Sequence, residues 1–393
     1  MKFNRDAAFS LEKDLRAGRS ILLFGPRQTG KTTLIKDVCA KFHGCLEYPL
    51  QLPSVRTQLE SDPEILRREV AAAKGAGPSL VFIDEIQKVP ALMDLLQYLL
   101  DEKKIILIAT GSSARKLRRG HTNWLPGRVR VERLHPLTWK ESGLVGAAGH
   151  DAALFEDRLL YGGLPGILAQ DRAQRAENLR SYAALYLEEE IRQEAVVRRL
   201  PPFSRFLQLA ALESGSSPNM SKLAGEVGVS HTTIREYYQI LEDSLIIHRL
   251  NSWGKGRSAV LRKAKYYFFD LGVRNAAAGI GHDRGLLTLQ KGVLFEHHVI
   301  LEAIASLENR ARLSYWRNKS GREVDLVIEA AGEVTAVEIK ATARPGDFDF
   351  AGLAAFSREE KCDRAYLVCQ VERPQRFEHA VALPWQQLPS LWK

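Results

Sequence analysis

Two glycines and a lysine–threonine pair form the first group of residues with a recognisable chemistry. Gly25 and Gly30 bracket four residues, and Lys31 and Thr32 follow directly. A glycine-rich loop can turn backbone N–H groups towards phosphate oxygens, a lysine brings positive charge to them, and a hydroxyl can bind Mg²⁺. The apolar residues 21–24 precede the loop as a strand would, and a helix-like segment follows it. The pattern predicts a P-loop that binds nucleotide phosphates; the alternative is a glycine turn with an incidental lysine.

A pair of carboxylates follows a second apolar run. Residues 80–83 are all apolar and predict a buried parallel strand, with Asp84 and Glu85 at its carboxyl end. Ligands bind at that edge of open α/β sheets. We expect Asp84 to orient the Mg²⁺ shell and Glu85 to position the attacking water. The alternative is an exposed acidic turn after a strand.

Hydroxyl residues follow a third strand-like run, residues 104–109. A polar side chain there, such as Ser112, could contact the γ-phosphate or place the water, or it could cap a helix. The predicted contacts to ATP are Gly25, Pro26, Arg27, Gln28, Thr29, Gly30, Lys31, Thr32, Thr33, Asp84 and Ser112, and the predicted ligands of its Mg²⁺ are Thr32 and Asp84.

Asp325, Glu338 and Lys340 form a second chemical group, in the C-terminal part of the chain. Glu338 and Lys340 are two residues apart, so they face the same side of a strand. This pattern resembles the restriction-endonuclease-like PD-(D/E)XK superfamily. The resemblance implies a Mg²⁺-dependent phosphodiesterase site with catalytic Asp325, Glu338 and Lys340, and with Glu296, Asp325 and Glu338 as metal ligands. The alternative is an inert domain in which the lysine neutralises the carboxylates.

Residues 203–250 have the pattern of helix, helix, glycine turn and helix, followed by a strand. This order predicts a winged helix-turn-helix whose helix at 231–241 enters the DNA major groove with its first residues. The wing at 251–265 has five Lys/Arg and no acid, which suits backbone phosphates. The predicted DNA contacts are His231, Thr232, Thr233, Arg235, Lys255, Arg257 and Arg262. The alternative is a protein-interaction module, because this helix also carries Glu236, Glu242 and Asp243.

The segments GPRQTGKTTL, LVFIDEIQ, ATGSS and LPGR…LHPLTWKE, in this order, resemble a family of prokaryotic AAA-type ATPases with a variable C-terminal region. GGLP, YYFFDLG and EVD…VEIK extend the resemblance over nearly the whole chain. It implies phosphate contacts for Lys31 and Thr32, hydrolytic roles for Asp84 and Glu85, and a helical lid after the core. It also implies assembly of copies side by side or in a ring, such as a hexamer.

The stretch 114–133 contains seven Lys/Arg and one acid. Such runs are usually solvated faces. The resemblance implies that one arginine just before the last core strand acts on a neighbouring subunit's nucleotide as an arginine finger. Arg128 is the first candidate for this catalytic role and Arg115 the second.

Composition sets the remaining limits. A length of 393 residues predicts about two to three domains, and a net charge of +9 is compatible with an anionic partner. Four cysteines without CxxC spacing predict reduced thiols and a cytoplasmic location. No apolar run reaches the length of a membrane span, so no membrane association is expected.

The sequence therefore predicts an α/β fold in four parts. These are an AAA-type P-loop core at 1–148, a helical lid at 149–202, a winged helix at 203–265 and an α/β restriction-endonuclease-like domain at 266–393. The predicted function is that of an ATPase, an oligomeric motor or switch acting on duplex or branched DNA such as recombination intermediates, with ATP and Mg²⁺ as cofactors and a candidate nuclease site. The alternative is a nucleotide-controlled protein-interaction switch in defence or stress signalling, with an inactive nuclease-like domain.

Overall fold

The structure is a computed structural model, and it describes residues 3–73, 77–112, 125, 127–146, 149–150, 152–187, 200–254 and 263–392. Contacts divide the chain into two compact units. The N-terminal unit comprises Met1–Leu137, Leu164–Gly166 and Asp243–Ile246, and the C-terminal unit comprises Thr138–Gly163, Ile167–Glu242 and Ile247–Lys393. The four-part division of the chain stays a prediction. Arg115, Lys255, Arg257 and Arg262 lie outside the described residues.

A five-stranded parallel sheet forms the centre of the N-terminal unit. Its strands are β1 (Ser20–Phe24), β2 (Leu46–Pro49), β3 (Ser79–Asp84), β4 (Ile105–Gly111) and β5 (Val129–Arg133), in the order β2-β3-β4-β1-β5. All neighbouring strands run parallel. The prediction of a buried parallel strand at residues 80–83 is therefore confirmed, and the strand-like run 104–109 falls within β4, apart from its first residue.

Alternate residues of the central strands enter two separate cores. Leu22 and Ile83 belong to one buried cluster, and Ile21 and Phe82 belong to the other. This alternation follows from the pleat, which directs successive side chains to opposite faces. Because both faces are covered, the strands read as continuous apolar runs.

Helices cover both faces of this sheet. Ala7–Arg16 and Lys31–Cys39 contribute to one core, while Pro53–Ser61, Glu64–Ala72 and Leu92–Asp101 contribute to the other. A short 3₁₀ turn, Ile86–Lys88, follows β3. The result is a three-layer arrangement that leaves the carboxyl edge of the strands to the loops.

An eight-stranded mixed sheet lies in the C-terminal unit. Its order is β14-β15-β13-β12-β11-β10-β8-β9. The strands are β8 (Ile247–Ser252), β9 (Lys265–Phe268), β10 (Arg312–Arg317), β11 (Glu323–Ala330), β12 (Glu333–Ile339), β13 (Arg364–Cys369), β14 (Gln375–Arg376) and β15 (Val381–Pro384); a separate pair, β6 (Val145–Gly146) and β7 (Gly149–His150), precedes them. The strands β10, β11 and β12 form an antiparallel meander, and β8 joins β10 in parallel. One sheet thus includes strands from both sides of position 265/266, where the sequence analysis placed a boundary.

The remaining helices are Ala152–Tyr161, Pro165–Leu168, Arg172–Ser181, the π-helical turn Tyr182–Leu187, Leu200–Leu212, Met220–Val227, His231–Asp243, Leu271–Ala277, Arg284–Leu307, the 3₁₀ turn Asp347–Phe350, Ala351–Glu359 and the 3₁₀ turn Trp385–Trp392. Leu353 and Phe356 of Ala351–Glu359 share a buried cluster with Trp316 of β10. No helix within the described part of the chain combines the length and apolar character that a membrane span requires.

A set of buried hydrogen bonds joins two helices of the C-terminal unit. The backbone N–H of Gly163 donates to Oδ2 of Asp270 at 2.6 Å, and the same carboxylate accepts from the N–H of Val273 at 3.0 Å, capping Leu271–Ala277. Nδ2 of Asn275 donates to the carbonyls that end the helix Ala152–Tyr161, those of Leu159 and Leu160. At this crossing the backbones meet closely, because a Cβ on Gly272 would lie 2.3 Å from the carbonyl oxygen of Tyr161.

Replacing Gly272 by Ala is expected to lower the free energy of unfolding by about 1–3 kcal/mol, because the added methyl group must displace packed backbone. Gly225→Ala is the matched control, since Gly225 is also helical but a Cβ there meets no atom within 4 Å. That variant should be about 0.5–1 kcal/mol more stable than the wild type. Urea denaturation followed by tryptophan fluorescence measures both, and equal stability of the two variants would contradict the close crossing.

Candidate nucleotide site and carboxylate–lysine site

The loop between β1 and the helix Lys31–Cys39 has the backbone geometry of a phosphate cradle. Gly30 stands immediately before the helix with φ 88°, a left-handed conformation that glycine adopts without strain. The ammonium group of Lys31 is buried and donates to the carbonyls of Gly25 at 2.7 Å and Pro26 at 2.9 Å. The lysine is thus held at the centre of its own loop, and the helix N-terminus faces the same loop.

The other predicted loop contacts differ in exposure. Thr29 is buried and its hydroxyl donates to the carbonyl of Pro26 at 2.9 Å. Arg27 is half-buried, whereas Gln28 and Thr33 are exposed. The exposed side chains therefore border the loop without supporting its conformation.

Arg5 is a loop-supporting residue that the sequence analysis missed. Its guanidinium donates to the backbone carbonyls of Thr29 and His135, both at 2.7 Å. It connects the amino-terminal segment, the phosphate loop and the chain after β5. Nothing in the first residues of the sequence indicates this contact, because its partners are backbone atoms distant in the chain.

Asp84, at the end of β3, accepts hydrogen bonds from several side chains. It is 2% exposed, and its carboxylate accepts from the hydroxyls of Thr32 at 3.0 Å and Thr110, and from the Gln51 amide at 3.1 Å. Thr32 and Asp84 place a hydroxyl and a carboxylate oxygen side by side, the hard-oxygen set that suits Mg²⁺. A cavity of about 250 Å³ opens beside Thr32, Gln51 and Asp84. These residues fit a Mg²⁺–nucleotide complex.

Glu85, the next residue in the chain, has a strained backbone conformation. Its φ of 60° and ψ of 52° are left-handed, which is uncommon for a residue with a side chain. The backbone N–H of Glu85 donates to the hydroxyl of Thr110 at 2.9 Å, and its carboxylate accepts from Ser112 at 3.2 Å and from Gln87. In this conformation the Glu85 carboxylate contacts Ser112, whereas that of Asp84 contacts Thr32. Strain of this kind concentrates at functional sites.

Ser112 therefore contacts the carboxylate predicted to place the water. Its hydroxyl also accepts from the amide of Gln87 at 3.2 Å. The alternative role, a helix cap, concerns residues after 112 that lie outside the described part of the chain. Gln87 was not a candidate in the sequence, because its proximity to Glu85 depends on the turn after β3.

Arg128 is engaged within its own chain. Its guanidinium forms a two-point ion pair with Asp101, with Nη2 3.0 Å from Oδ2. Its side chain is 32% exposed. A finger role in a neighbouring subunit stays a prediction.

The structure brings Asp325, Glu338 and Lys340 together at neighbouring strands. Nζ of Lys340 lies 2.5 Å from Oε1 of Glu338 and 3.8 Å from Oδ2 of Asp325. The expected same-side placement of Glu338 and Lys340 is thus confirmed. Burial and then the nearby Asp325 carboxylate raise the pKa of Glu338 to about 8, although Lys340 opposes this shift. The catalytic and metal-binding roles of the group stay predictions.

Lys265 is a further member of this site that the sequence analysis missed. Its ammonium lies 2.5 Å from Oε1 of Glu323, 3.2 Å from Oε1 of Glu296 and 3.8 Å from Oδ1 of Asp325. In the sequence Lys265 belongs to the basic stretch assigned to the wing. Only the tertiary fold shows that it points into the carboxylates, because β9 pairs with β8 and not with β11. Across the described residues, no three His, Cys, Asp or Glu side chains are grouped as a metal ion would require.

The helix His231–Asp243 has one buried and one exposed face. Ile234, Tyr238 and Leu241 are buried, as are Leu223 and Val227 of the preceding helix, in agreement with the predicted apolar spacing. Three of the predicted DNA contacts, His231, Thr232 and Arg235, are exposed, and Thr233 is half-buried beside its capping residue Ser230. DNA contact by these residues stays a prediction.

Three known families match consecutive parts of the chain. A family described as an AAA domain matches residues 17–143, and two described as domains of unknown function, DUF8612 and DUF4143, match residues 152–284 and 291–388. These three matches together cover most of the chain.

Relatives match over much larger spans. An uncharacterized protein of Mycobacterium tuberculosis, Rv2008c, is 31% identical over 350 residues, which is 87% of this chain and 74% of that protein. An uncharacterized protein of Haemophilus influenzae is 23% identical over 65% of this chain and 64% of that protein. Among solved structures, the Walker-type ATPase PABY2304 of Pyrococcus abyssi matches with a TM-score of 0.47 and 16% identity, over 70% of this chain and 96% of that chain. The chain belongs to the same family as the mycobacterial protein, and its N-terminal part is a P-loop ATPase domain of the AAA type.

Proposed function

We propose that this protein hydrolyses ATP and uses the reaction to control an oligomer that acts on DNA. The observation that carries the ATPase assignment is the hydrogen-bonded series at the carboxyl edge of the first sheet. There Thr32 and Asp84 are joined directly, while Glu85 is held apart by Thr110 and Ser112. One carboxylate is thereby available to the metal and the other to the water.

This separation matters because the two carboxylates have different tasks. Thr32 and Asp84 would hold the Mg²⁺ that accompanies ATP, whereas the attacking water needs a hydrogen-bond acceptor that does not bind the metal. Ser112 and Gln87 hold the Glu85 carboxylate in one orientation. Lys31 supplies positive charge from the centre of the loop, next to the backbone N–H groups that bind phosphate.

Glu85→Gln is expected to bind ATP with nearly wild-type affinity and to hydrolyse it about 10²–10⁴-fold more slowly, because the amide is a poor proton acceptor for water. Lys31→Ala should instead weaken ATP binding itself. Nucleotide titration and steady-state turnover of both variants separate the two effects. Glu60→Gln, an exposed acid on the helix Pro53–Ser61, is the matched control and should behave as wild type. Wild-type turnover by Glu85→Gln would contradict the assignment.

DNA is the proposed partner of the helix His231–Asp243. The exposed side chains at its N-terminus include His231 and Arg235, and the helix Met220–Val227 is capped by Asn219, whose carboxamide accepts from Ser221 N–H. The antiparallel pair β8 and β9 follows, as the strands of a wing would. This order of elements supports a winged helix-turn-helix that places its recognition helix in the major groove. The exposed Glu236 favours the alternative, a protein-binding role.

Replacing Lys255, Arg257 and Arg262 by Ala is expected to weaken duplex binding and to reduce the salt slope of log K by about one for each phosphate that a removed cation would have neutralised. Binding isotherms at several salt concentrations measure the slope. A matched control removes the same charge elsewhere, at Arg67 and Arg68 of the helix Glu64–Ala72 together with Lys13.

ATP turnover with single-stranded, duplex and four-way-junction DNA then separates a DNA-acting ATPase from a protein switch. Stimulation by one of these DNAs that is absent in the wing variant supports the proposal. A wild-type slope in the wing variant, with no stimulation of the wild type by any DNA, contradicts it and favours the protein partner.

Oligomerisation is proposed because an arginine finger needs a neighbouring active site. Arg128 lies immediately before β5 and reaches the surface in its ion pair with Asp101. In a head-to-tail assembly each copy would complete the site of the next.

Mixing Arg128→Ala with Glu85→Gln is expected to restore part of the ATP turnover that each variant lacks, since some interfaces then join an intact finger to an intact Glu85. Turnover is measured against mixing ratio, with native mass spectrometry to show mixed oligomers. An absence of recovery in proven mixed oligomers would exclude Arg128 as a finger in trans.

A metal-dependent nuclease at Asp325, Glu338 and Lys340 is the second activity predicted from the sequence. The eight-stranded sheet and the convergence of these three residues support a site of the restriction-endonuclease type. The lysines, however, neutralise the carboxylates directly. This pairing favours the inert alternative.

A further inference from the structure

Lys265 lies where three carboxylates from two elements converge. Glu296 comes from the helix Arg284–Leu307, while Glu323 and Asp325 come from β11, and all three have an oxygen within 4.0 Å of the Lys265 ammonium. The Lys265 side chain is 7% exposed. Carboxylate oxygens are the ligands that Mg²⁺ and Mn²⁺ prefer, but here they are grouped around an ammonium.

The carboxylate oxygens of Glu296 and Asp325 already contact hydrogen-bond donors or ammonium groups of the protein. Oε1 of Glu296 accepts from the hydroxyl of Tyr267 at 2.8 Å as well as from Lys265 at 3.2 Å. The two oxygens of Asp325 are divided between the lysines, with Oδ1 on the Lys265 side and Oδ2 on the Lys340 side. Oδ2 also accepts from the N–H of Ile339 at 2.9 Å. Each carboxylate is therefore stabilised by protein groups.

A divalent cation does not fit this arrangement. It would need oxygens at about 2.0–2.6 Å, in the space that the ammonium takes up. A positive charge a few ångströms from a buried ammonium is repelled strongly, because the low dielectric of the interior screens little. The phenol ring of Tyr315, 5.5 Å from Nζ, packs against Lys265 as well. A metal could therefore bind here only if the Lys265 side chain lost its contacts with Tyr315 and with the carboxylates.

We propose that Lys265 is the resident cation of the C-terminal site. Its ammonium lies between Glu296, Glu323 and Asp325, of which the resemblance assigns Glu296 and Asp325 to a metal, so this part of the site binds neither Mg²⁺ nor Mn²⁺. Glu296 is then a partner of lysine rather than a metal ligand. Because this site shares no residue with the ATPase site, failure of this proposal and failure of the ATPase proposal are distinguishable.

The Lys265 ammonium keeps its charge over the pH range in which metal binding is tested. Burial by itself lowers the pKa of Lys265, but the attraction of Glu296, Asp325 and Glu323 exceeds that effect and raises the pKa above its ordinary value. Removing this ammonium would take a counter-charge away from Glu296 and Glu323, whereas Asp325 would keep Lys340. Such a loss is strongly destabilising unless another cation replaces it.

The test counts Mn²⁺ bound to full-length, nucleotide-free protein by electron paramagnetic resonance, for the wild type and for Lys265→Met. Methionine keeps the length and apolar packing of lysine but carries no charge. We expect Glu296→Gln to bind as many Mn²⁺ ions as the wild type does. Lys265→Met should gain about one Mn²⁺ per chain, and millimolar Mn²⁺ should raise its melting temperature while leaving that of the wild type unchanged.

Two further variants keep the test decisive. Lys222→Met removes an exposed lysine paired with Glu226, and it should gain no Mn²⁺. If Lys265→Met does not fold, Lys265→Met/Glu323→Gln removes one carboxylate together with the ammonium, so it retains fewer unpaired charges and should still gain the metal through Glu296 and Asp325.

Binding of Mn²⁺ to the wild type that Glu296→Gln abolishes would overturn the proposal. So would a folded Lys265→Met, or a folded double variant, that gains no Mn²⁺. ATP turnover is measured on the same preparations, and it should be unchanged in Lys265→Met whichever result the metal count gives.

Discussion

The parallel pairing of β1, β3 and β4 is the constraint on which the nucleotide site depends. Because neighbouring strands run in one direction, their carboxyl ends meet at one edge of the sheet. Thr32, Asp84 and Thr110 come from three distant stretches of the chain, yet they share hydrogen bonds at that edge. The sheet keeps this register because alternate residues of each strand are committed to two separate cores, so a slip by one residue would exchange every buried side chain.

Local strain refines what the sheet brings together. The left-handed backbone at Glu85 separates two adjacent carboxylates, so that one faces Thr32 and the other faces Ser112. In an extended continuation of β3 the two side chains would point to opposite faces of the sheet; with the turn, both residues stay at the carboxyl edge, where they share Thr110. The cost of the conformation is offset by the hydrogen bond from the Glu85 N–H to Thr110, which also holds Asp84. Position and conformation are therefore stabilised by the same hydroxyl group.

The C-terminal site shows a different balance between charge and burial. Its carboxylates are largely withdrawn from water, and each is compensated by a lysine, a tyrosine hydroxyl or a backbone N–H. A buried ion pair of this kind adds little stability compared with apolar packing, but breaking it is costly. The arrangement can therefore persist as a rigid structural feature whether or not it takes part in chemistry. The AAA-type domain, by contrast, combines a loop, a hydroxyl and two separately oriented carboxylates that suit one reaction.

The sequence by itself determined the features in which chemistry and structure are local. The phosphate loop, the buried strand ending in Asp84 and the same-face pair Glu338 and Lys340 depend on short-range geometry, namely the glycine turn and the periods of helix and strand. Only the tertiary structure decided the roles of Arg5, Gln87 and Lys265. Arg5 binds backbone carbonyls, which no side-chain pattern records, and Gln87 depends on one strained turn. Lys265 contacts carboxylates from a helix and from a strand with which β9 does not pair. A charged residue in a basic stretch reads as solvated, and only the packing around it shows that it is a buried counter-ion.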